Sequence, residues 1–175
     1  MLEQKLKTTI RDVADFPKPG ILFKDITPIL HHPQLCDDIV NVFVNYCTDK
    51  NINAVVGVES RGFLFGFALA NKLNVPFILV RKSGKLPYKT ISYEYDLEYG
   101  SAKVEMQEDE IQPGWNVLIH DDLLATGGTA EAAAKLIQMQ KGNVSGFAFI
   151  VELDFLNGKE KLKQYSENII SLVNY

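Results

Sequence analysis

Apolar residues recur at helical spacing in two series near the start of the chain. The first series consists of Leu2, Leu6, Ile10 and Val13, and the second of Leu35, Ile39, Val42, Phe43 and Tyr46. Each series falls on one face of a helix, and the segment FPKPG, residues 16–20, would end the first. We therefore predict an opening helix and a second amphipathic helix.

Short apolar runs then alternate with helical segments. Strands are predicted over 54–58, 76–80, 117–120, 146–151 and 170–173, and helices over 63–73, 130–141 and 159–164. Strands that alternate with helices and are apolar on both faces are typical of a parallel sheet covered on both sides. The pattern predicts an α/β protein with a central, mostly parallel sheet flanked by helices.

Residues 90–107 break this alternation. They are rich in tyrosine and acidic residues and contain the turn-forming triplet Tyr99-Gly100-Ser101. We predict a hairpin or a mobile flap here. Because no repeat, low-complexity tract or linker divides the chain, residues 1–175 are predicted to form a single domain.

Composition and charge exclude several classes of function. The net charge is −4 and the isoelectric point about 5.4, which argues against a general nucleic-acid binder. No run approaches the length of a membrane span, and the N-terminal segment lacks the apolar core of a signal peptide, so we expect a cytoplasmic protein without a membrane partner. Cys36 and Cys47 lie about three turns apart on one predicted helix, too far apart for a disulfide, so we expect reduced thiols.

The segment VLIHDDLLATGGTA, residues 117–130, has features that suit a phosphorylated sugar. A predicted strand leads to the adjacent carboxylates Asp121 and Asp122, then to the turn 125–129 and a helix. The turn offers N–H groups, hydroxyls and a helix dipole to a monophosphate, and the acids can accept hydrogen bonds from a ribose diol. Thr129 stands where a Walker-type loop needs lysine, and the dinucleotide fingerprint spacing is absent.

This motif resembles the PRPP (5-phosphoribosyl 1-diphosphate) motif of the type I phosphoribosyltransferases. Further signature segments resemble the adenine phosphoribosyltransferase branch of that family, in its order and at about its spacings. They are FPKPGILFKDITPIL (16–30), VVGVESRGFLFG (55–66), VRKSGKLP (80–87) and YDLEYG (95–100). The resemblance covers nearly the whole chain. It implies the type I fold, with a small N-terminal hood (residues 1–34) and a flexible flap (residues 88–108).

The resemblance also implies an activity and its partners. Adenine and PRPP would give AMP and diphosphate, with Mg²⁺ bound mainly through the diphosphate and ribose oxygens of PRPP. The enzyme would be a homodimer in which some contacts to the diphosphate cross between subunits. Such a reaction gives the ribose oxocarbenium character, so positioning and electrostatics matter more than covalent catalysis.

Family positions that bind PRPP map onto three loops. The 5′-phosphate would be held by Ala125, Thr126, Gly127, Gly128 and Thr129, and the ribose diol by Asp121 and Asp122. The diphosphate would be bound by Ser60, Arg61, Arg81 and Lys85. Arg61 suits bidentate phosphate contacts, and the family loop that contains it often has a cis non-proline peptide.

Further family positions map onto the purine side of the site. Glu98 would handle the proton on the purine imidazole ring, and Tyr99 would help to seal the site. Phe23 would stack on adenine with Leu123 on its other face. Backbone groups near Leu22, Phe23 and Lys24 would read the 6-amino edge.

Two residues depart from the family pattern. Lys24 replaces an arginine that is common in the family, and His120 replaces an aliphatic residue. A lone histidine at a strand end is more often structural than a base, so His120 is assigned no catalytic role. We expect neither departure to abolish activity.

Two alternative functions stay open at this point. A 6-oxopurine phosphoribosyltransferase differs in the backbone groups that face the purine 6-position, which side chains do not decide. A PRPP-sensing regulator could keep the fold without turnover, but such regulators usually carry a DNA-binding module and positive charge. This chain has neither, and it retains Glu98 and Arg61, so the sequence favours catalysis.

Overall fold

The computed structural model describes residues 1–96 and 100–175. The described strands are β1 Arg11–Ala14, β2 Leu22–Asp25, β3 Ala54–Val58, β4 Phe77–Lys82, β5 Thr90–Asp96, β6 Ser101–Gln107, β7 Asn116–Leu124, β8 Asn143–Glu152 and β9 Ile169–Asn174. The α-helices are α1 Leu2–Thr9, α2 Pro33–Cys47, α3 Gly62–Leu73, α4 Gly128–Met139 and α5 Gly158–Leu162. Short 3₁₀ helices follow β2 and β8, at Thr27–His31 and Asp154–Leu156.

Seven strands form one sheet in the order β5-β6-β4-β3-β7-β8-β9. The five strands from β4 to β9 pair in parallel, whereas β6 pairs antiparallel with both β4 and β5. The prediction of a central, mostly parallel sheet is therefore confirmed. The carboxyl ends of β3, β4 and β7 meet at one edge, which is where parallel α/β sheets place their ligands.

Apolar side chains cover both faces of this sheet. On β8, Phe147 and Phe149 face the cluster beneath α4, while Ala148 and Ile150 face the cluster beneath α1, α2 and α3. All four side chains are fully buried. Burial of each large apolar side chain contributes about 1.5–3 kcal/mol, so the two layers hold the central strands rigidly.

The opening helix is shorter than predicted. It ends at Thr9, and Val13 lies on β1, where it pairs with Phe23 of the antiparallel strand β2. Thr9 turns its hydroxyl back to the carbonyl of Lys5, and β-branched residues are weak helix formers, which favours an end here. The apolar spacing from Ile10 to Val13 thus crosses from one element to the next.

The strand that carries the acid pair is longer than predicted. β7 extends to Leu124, four residues beyond the predicted end at 120, because it stays paired with β8 as far as Glu152. Asp121 and Asp122 consequently lie within the strand and have a fixed backbone. Helix α4 begins two residues earlier than predicted, at Gly128.

The region 90–107 forms the predicted hairpin. β5 and β6 pair from Thr90 with Gln107 to Asp96 with Ser101. The tip residues 97–99, which include Glu98 and Tyr99, lie outside the described residues. In the described parts of the chain, no helix is long and apolar enough to cross a membrane.

Candidate active site

An open cleft of about 780 Å³ lies at the carboxyl ends of β3, β4 and β7. Most of the residues predicted to bind PRPP line it, although they come from three separate loops. These residues are Ser60, Arg61, Arg81, Asp121, Asp122, Ala125, Thr126, Gly127, Gly128 and Thr129, whereas Lys85 lies outside the lining. The structure therefore brings most of the predicted PRPP-binding residues together in one cleft.

The loop 125–129 is held closely against Gly158, the first residue of α5. Gly127 has φ +82°, a conformation that favours glycine, and a Cβ there would lie 2.8 Å from the carbonyl oxygen of Gly158. A Cβ on Gly158 would lie 2.2 Å from the carbonyl oxygen of Ala125. Gly158, which sequence reasoning missed, is thus the close backbone contact that supports this loop.

The two acids of β7 have different surroundings. Asp122 is buried, and its Oδ2 lies 2.5 Å from Nε of Arg61. The backbone N–H of Asp122 donates to Oδ1 of Asp121 at 2.8 Å. Burial, together with the neighbouring charge of Asp122, raises the pKa of Asp121 well above its usual range. Asp122 therefore has a cationic partner in Arg61, whereas the surroundings of Asp121 oppose its ionisation.

The carboxylate of Glu59 positions the basic loop that follows β4. It accepts the N–H of Lys82 at 2.7 Å and lies 3.3 Å from Nη2 of Arg81 and 3.5 Å from Nζ of Lys85. Burial opposes ionisation of Glu59, but the Lys82 N–H and Arg81 hold its pKa below the usual value. The Glu59–Ser60 peptide is cis, as the resemblance implied.

A second buried carboxylate, that of Glu105 on β6, organises the same loop. Its Oε1 accepts backbone N–H groups of Gly84, Lys85 and Leu86 at 3.0–3.1 Å. Although burial acts in the opposite direction, these three donors lower the pKa of Glu105. Sequence reasoning missed Glu105, because nothing in a single strand shows that it faces a loop about twenty residues away.

The segment predicted to bind adenine lies beside the cleft. The Phe23 ring centroid is 5.1 Å from the Arg61 guanidinium and 5.1 Å from the ring of Phe16. Leu22 is half exposed. Leu123, on β7, lines the cleft itself, whereas Leu22, Phe23 and Lys24 are outside its lining.

The side chain of Lys24 points away from Phe23, as neighbours on a strand do. It is buried, with Nζ 2.7 Å from Asp12 and 3.7 Å from the centroid of the Tyr175 ring. Lys24 therefore anchors β2, and any contact it makes with adenine would come from its backbone.

His120 lies beneath the cleft and not in it. Its side chain is fully buried, packed edge-on against Phe43 at 5.3 Å between ring centroids. Neither ring nitrogen has a hydrogen-bond partner in the described part of the chain. Burial lowers the pKa of His120 to about 4, which suits the structural role expected of it.

Four residues of the flap hairpin also line the cleft, and sequence reasoning missed them. They are Tyr95 of β5 and Ala102, Lys103 and Val104 of β6. The signal that could have found Tyr95 is its period-two spacing from Tyr93, which places both tyrosines on one face of the strand. Lys82, at the end of β4, also reaches the cleft.

Comparisons with known proteins agree with this geometry. A family model described as the phosphoribosyl transferase domain matches residues 25–171. The adenine phosphoribosyltransferase of Cytophaga hutchinsonii is 53% identical over 175 residues, which span 100% of this chain and 97% of that protein. The resemblance drawn from the sequence motifs is thereby confirmed over the whole chain.

Solved structures agree as well. The crystal structure of adenine phosphoribosyltransferase from Thermoanaerobacter pseudethanolicus matches with a TM-score of 0.95 and 44% identity, covering 100% of both chains. The enzyme from Saccharomyces cerevisiae, complexed with adenine and an imino-altritol bisphosphate, matches with a TM-score of 0.90 and 40% identity over 98% of each chain. These relatives share the arrangement of sheet and helices described above.

Proposed function

This chain belongs to the adenine phosphoribosyltransferases, which transfer the 5-phosphoribosyl group of PRPP to adenine, and we propose that the cleft described above is the site of that transfer. The products are AMP and diphosphate, so the enzyme serves purine salvage. The observation that carries the proposal is the convergence of a phosphate loop, an acid pair and a basic loop on one cleft.

The loop 125–129 would bind the 5′-phosphate. It combines backbone N–H groups at the start of α4 with the hydroxyls of Thr126 and Thr129. Asp121 and Asp122 would accept hydrogen bonds from the ribose hydroxyls. Because both acids lie on a paired strand, the ribose would be held in a fixed orientation while positive charge develops at C1′.

The diphosphate would bind between Ser60, Arg61, Arg81 and Lys85. Arg81 and Lys85 already lie beside Glu59, so diphosphate would compete with that carboxylate or share the two cations with it. Arg61 would contact the leaving group and, through its pair with Asp122, link it to the ribose site. These cations would stabilise the negative charge that the diphosphate gains as its bond to C1′ of the ribose breaks.

Mg²⁺ would be bound mainly through oxygens of PRPP. Within the described residues, no group of three or more His, Cys, Asp or Glu side chains is arranged to hold a metal ion, and Asp122 is already paired with Arg61. Mg²⁺ needs few protein ligands, because it usually keeps several waters and binds substrate phosphates. Once bound, it would offset the charge of the diphosphate.

Adenine would lie between Phe23 and Leu123, with backbone groups near Leu22 and Lys24 at its 6-amino edge. The closeness of Phe23 to Arg61 supports this placement, because it sets the stacking ring beside the diphosphate site. We assign Glu98 to proton handling at the purine imidazole ring and Tyr99 to sealing the site.

We also propose a cytoplasmic homodimer. The outer face of α3, directly after Arg61, exposes two large apolar side chains, Leu64 (46% exposed) and Phe67 (57% exposed). Apolar surface of this kind next to a site suits contact with a second subunit. Both cysteines are free, as is usual for proteins of a reducing compartment. Sedimentation at micromolar concentration should give about twice 19.6 kDa.

A product assay tests the substrate assignment directly. Adenine, hypoxanthine and guanine are each incubated with PRPP and Mg²⁺, and nucleotide formation is followed chromatographically. We expect AMP only. Formation of IMP or GMP at a comparable rate would indicate a 6-oxopurine enzyme, and binding of PRPP without turnover would indicate a regulator.

A further inference from the structure

Tyr95 joins the flap hairpin to the first turn of α4. Its phenolic oxygen lies 3.0 Å from Oγ1 of Thr129. Its ring packs against Gly128, where a Cβ would lie 3.4 Å from two of the ring carbons. The phenol is therefore positioned by packing as well as by its hydrogen bond, and it lies at the wall of the cleft.

The direction of this hydrogen bond matters for the binding of a phosphate. A threonine hydroxyl has one proton to donate and two lone pairs that accept. If Thr129 donates to Tyr95, only lone pairs remain to face a phosphate oxygen, and the two repel. If Tyr95 donates to Thr129, the proton of Thr129 is free to be donated to the phosphate. In this second arrangement the two hydrogen bonds also strengthen one another.

We propose that Tyr95 is a positioning residue for the 5′-phosphate: its phenol donates to Thr129 and so keeps the Thr129 hydroxyl a donor to the ligand. The inference rests on the proposed role of the loop 125–129. Because Tyr95 belongs to β5, the same contact links occupancy of the phosphate loop to the position of the flap hairpin.

The test compares Tyr95→Phe with Tyr93→Phe. Tyr93 lies two residues earlier on the same strand and the same face, so its variant loses a phenolic hydroxyl away from the phosphate loop. Binding of AMP and of adenosine, which lacks the phosphate, is measured by calorimetry. We expect Tyr95→Phe to weaken the binding of AMP about 5-fold, which is the effect of one neutral hydrogen bond. The binding of adenosine should not change. Tyr93→Phe should change neither affinity.

A double-mutant cycle separates this proposal from the one on which it rests. Thr129→Val should weaken AMP about 10-fold or more, and adding Tyr95→Phe should then have no further effect. If Thr129→Val leaves AMP binding unchanged, the phosphate-loop assignment itself is wrong. If Thr129→Val weakens AMP but Tyr95→Phe does not, or if its effect adds fully to that of Thr129→Val, the positioning role is wrong. Tighter AMP binding by Tyr95→Phe would also overturn it, since the phenol would then compete with phosphate.

Discussion

The segments that would bind PRPP lie at the carboxyl ends of central strands of the seven-stranded sheet, whereas the segment 22–24 that would bind adenine lies on a separate two-stranded sheet. These PRPP segments, residues 59–61, 81–86 and 121–129, include the ends of β4 and β7 and are supported by buried carboxylates and close backbone contacts. The hood carries Phe23 on β2, a strand of four residues.

The difference lies in how many contacts hold each region. Glu105 alone fixes three consecutive backbone N–H groups of the basic loop, and Gly158 lies against two residues of the phosphate loop. On β2, Lys24 is the buried side chain that ties the strand to Asp12 and Tyr175. We infer that PRPP meets a largely preformed site, while adenine meets one whose position depends on fewer interactions. A substitution in one region should therefore change the KM of one substrate and leave the KM of the other unchanged.

The largest effect is expected from Asp122→Asn. The amide keeps the shape but loses the charge that pairs with Arg61 and would steady a cationic ribose. We expect kcat to fall about 100-fold or more while the circular dichroism spectrum stays unchanged. Asp37→Asn, at an exposed carboxylate on α2, is the control. Near-normal kcat at saturating PRPP would contradict the ribose assignment.

Gly158→Ala should come next in size. Its Cβ would meet the carbonyl of Ala125 at 2.2 Å, so the phosphate loop must shift. A displacement approaching 1 Å at a binding loop can weaken function by about 10- to 100-fold, and we expect this in the KM for PRPP and not in that for adenine.

Gly146→Ala is the matched control for Gly158→Ala. Its Cβ would meet the Asn168 carbonyl at 2.7 Å, on β8 but away from the cleft lining. It should lower the melting temperature without changing either KM. If both variants raise the KM for PRPP equally, the contact between Gly158 and the loop 125–129 is not what positions that loop.

The contrast between these regions also explains what the sequence could predict. The motif 117–130 is contiguous, so its strand, acid pair and loop could be read from local pattern and from the family resemblance. Gly158 and Glu105 act on loops that lie about twenty or more residues away in sequence, and no local periodicity indicates such contacts. The alternation of helices and strands predicted the sheet because both of its faces are buried.

The hood was harder to predict for a related reason. Its spacing from Leu6 to Val13 suits a helix, yet β1 is stabilised by pairing with β2, a tertiary contact that overrides the local pattern. The sequence marks Lys24 as a departure from the family and as part of the predicted adenine-binding segment, but it does not indicate what the side chain contacts. Its burial against Tyr175, about 150 residues later in the chain, could not be inferred from either segment alone.

Lys24→Met tests the hood directly. The variant keeps the apolar stem but loses the ion pair with Asp12 and the cation–π contact with Tyr175. A desolvated cation–π contact contributes about 2 kcal/mol, part of which should appear as a roughly 5-fold higher KM for adenine with the KM for PRPP unchanged. Arg11→Met removes the exposed ion pair with Asp25 in the same small sheet and should have almost no effect. Equal changes in both KM values would show that the two regions are not independent.

The smallest effect on activity, though not on stability, is expected at His120. Burial lowers the pKa of His120 in the folded protein to about 4, against 6.5 for a solvent-exposed histidine, so between these values the unfolded chain binds the extra proton. Stability should therefore be full above pH 6.5 and fall as the pH drops towards 4, by about 1 kcal/mol near pH 5.5–6. Urea unfolding across this range, compared between the native chain and His120→Leu, isolates the contribution, since carboxylates titrate in both. His120 packs beneath β7 and contacts no predicted substrate position, so turnover at pH 7.5 should be similar in the two proteins. If both proteins lose stability in parallel as the pH falls, His120 is not the buried group responsible. A lower kcat in His120→Leu would mean that packing beneath the acid pair affects the PRPP-binding residues, in addition to the contacts of Glu59, Glu105 and Gly158.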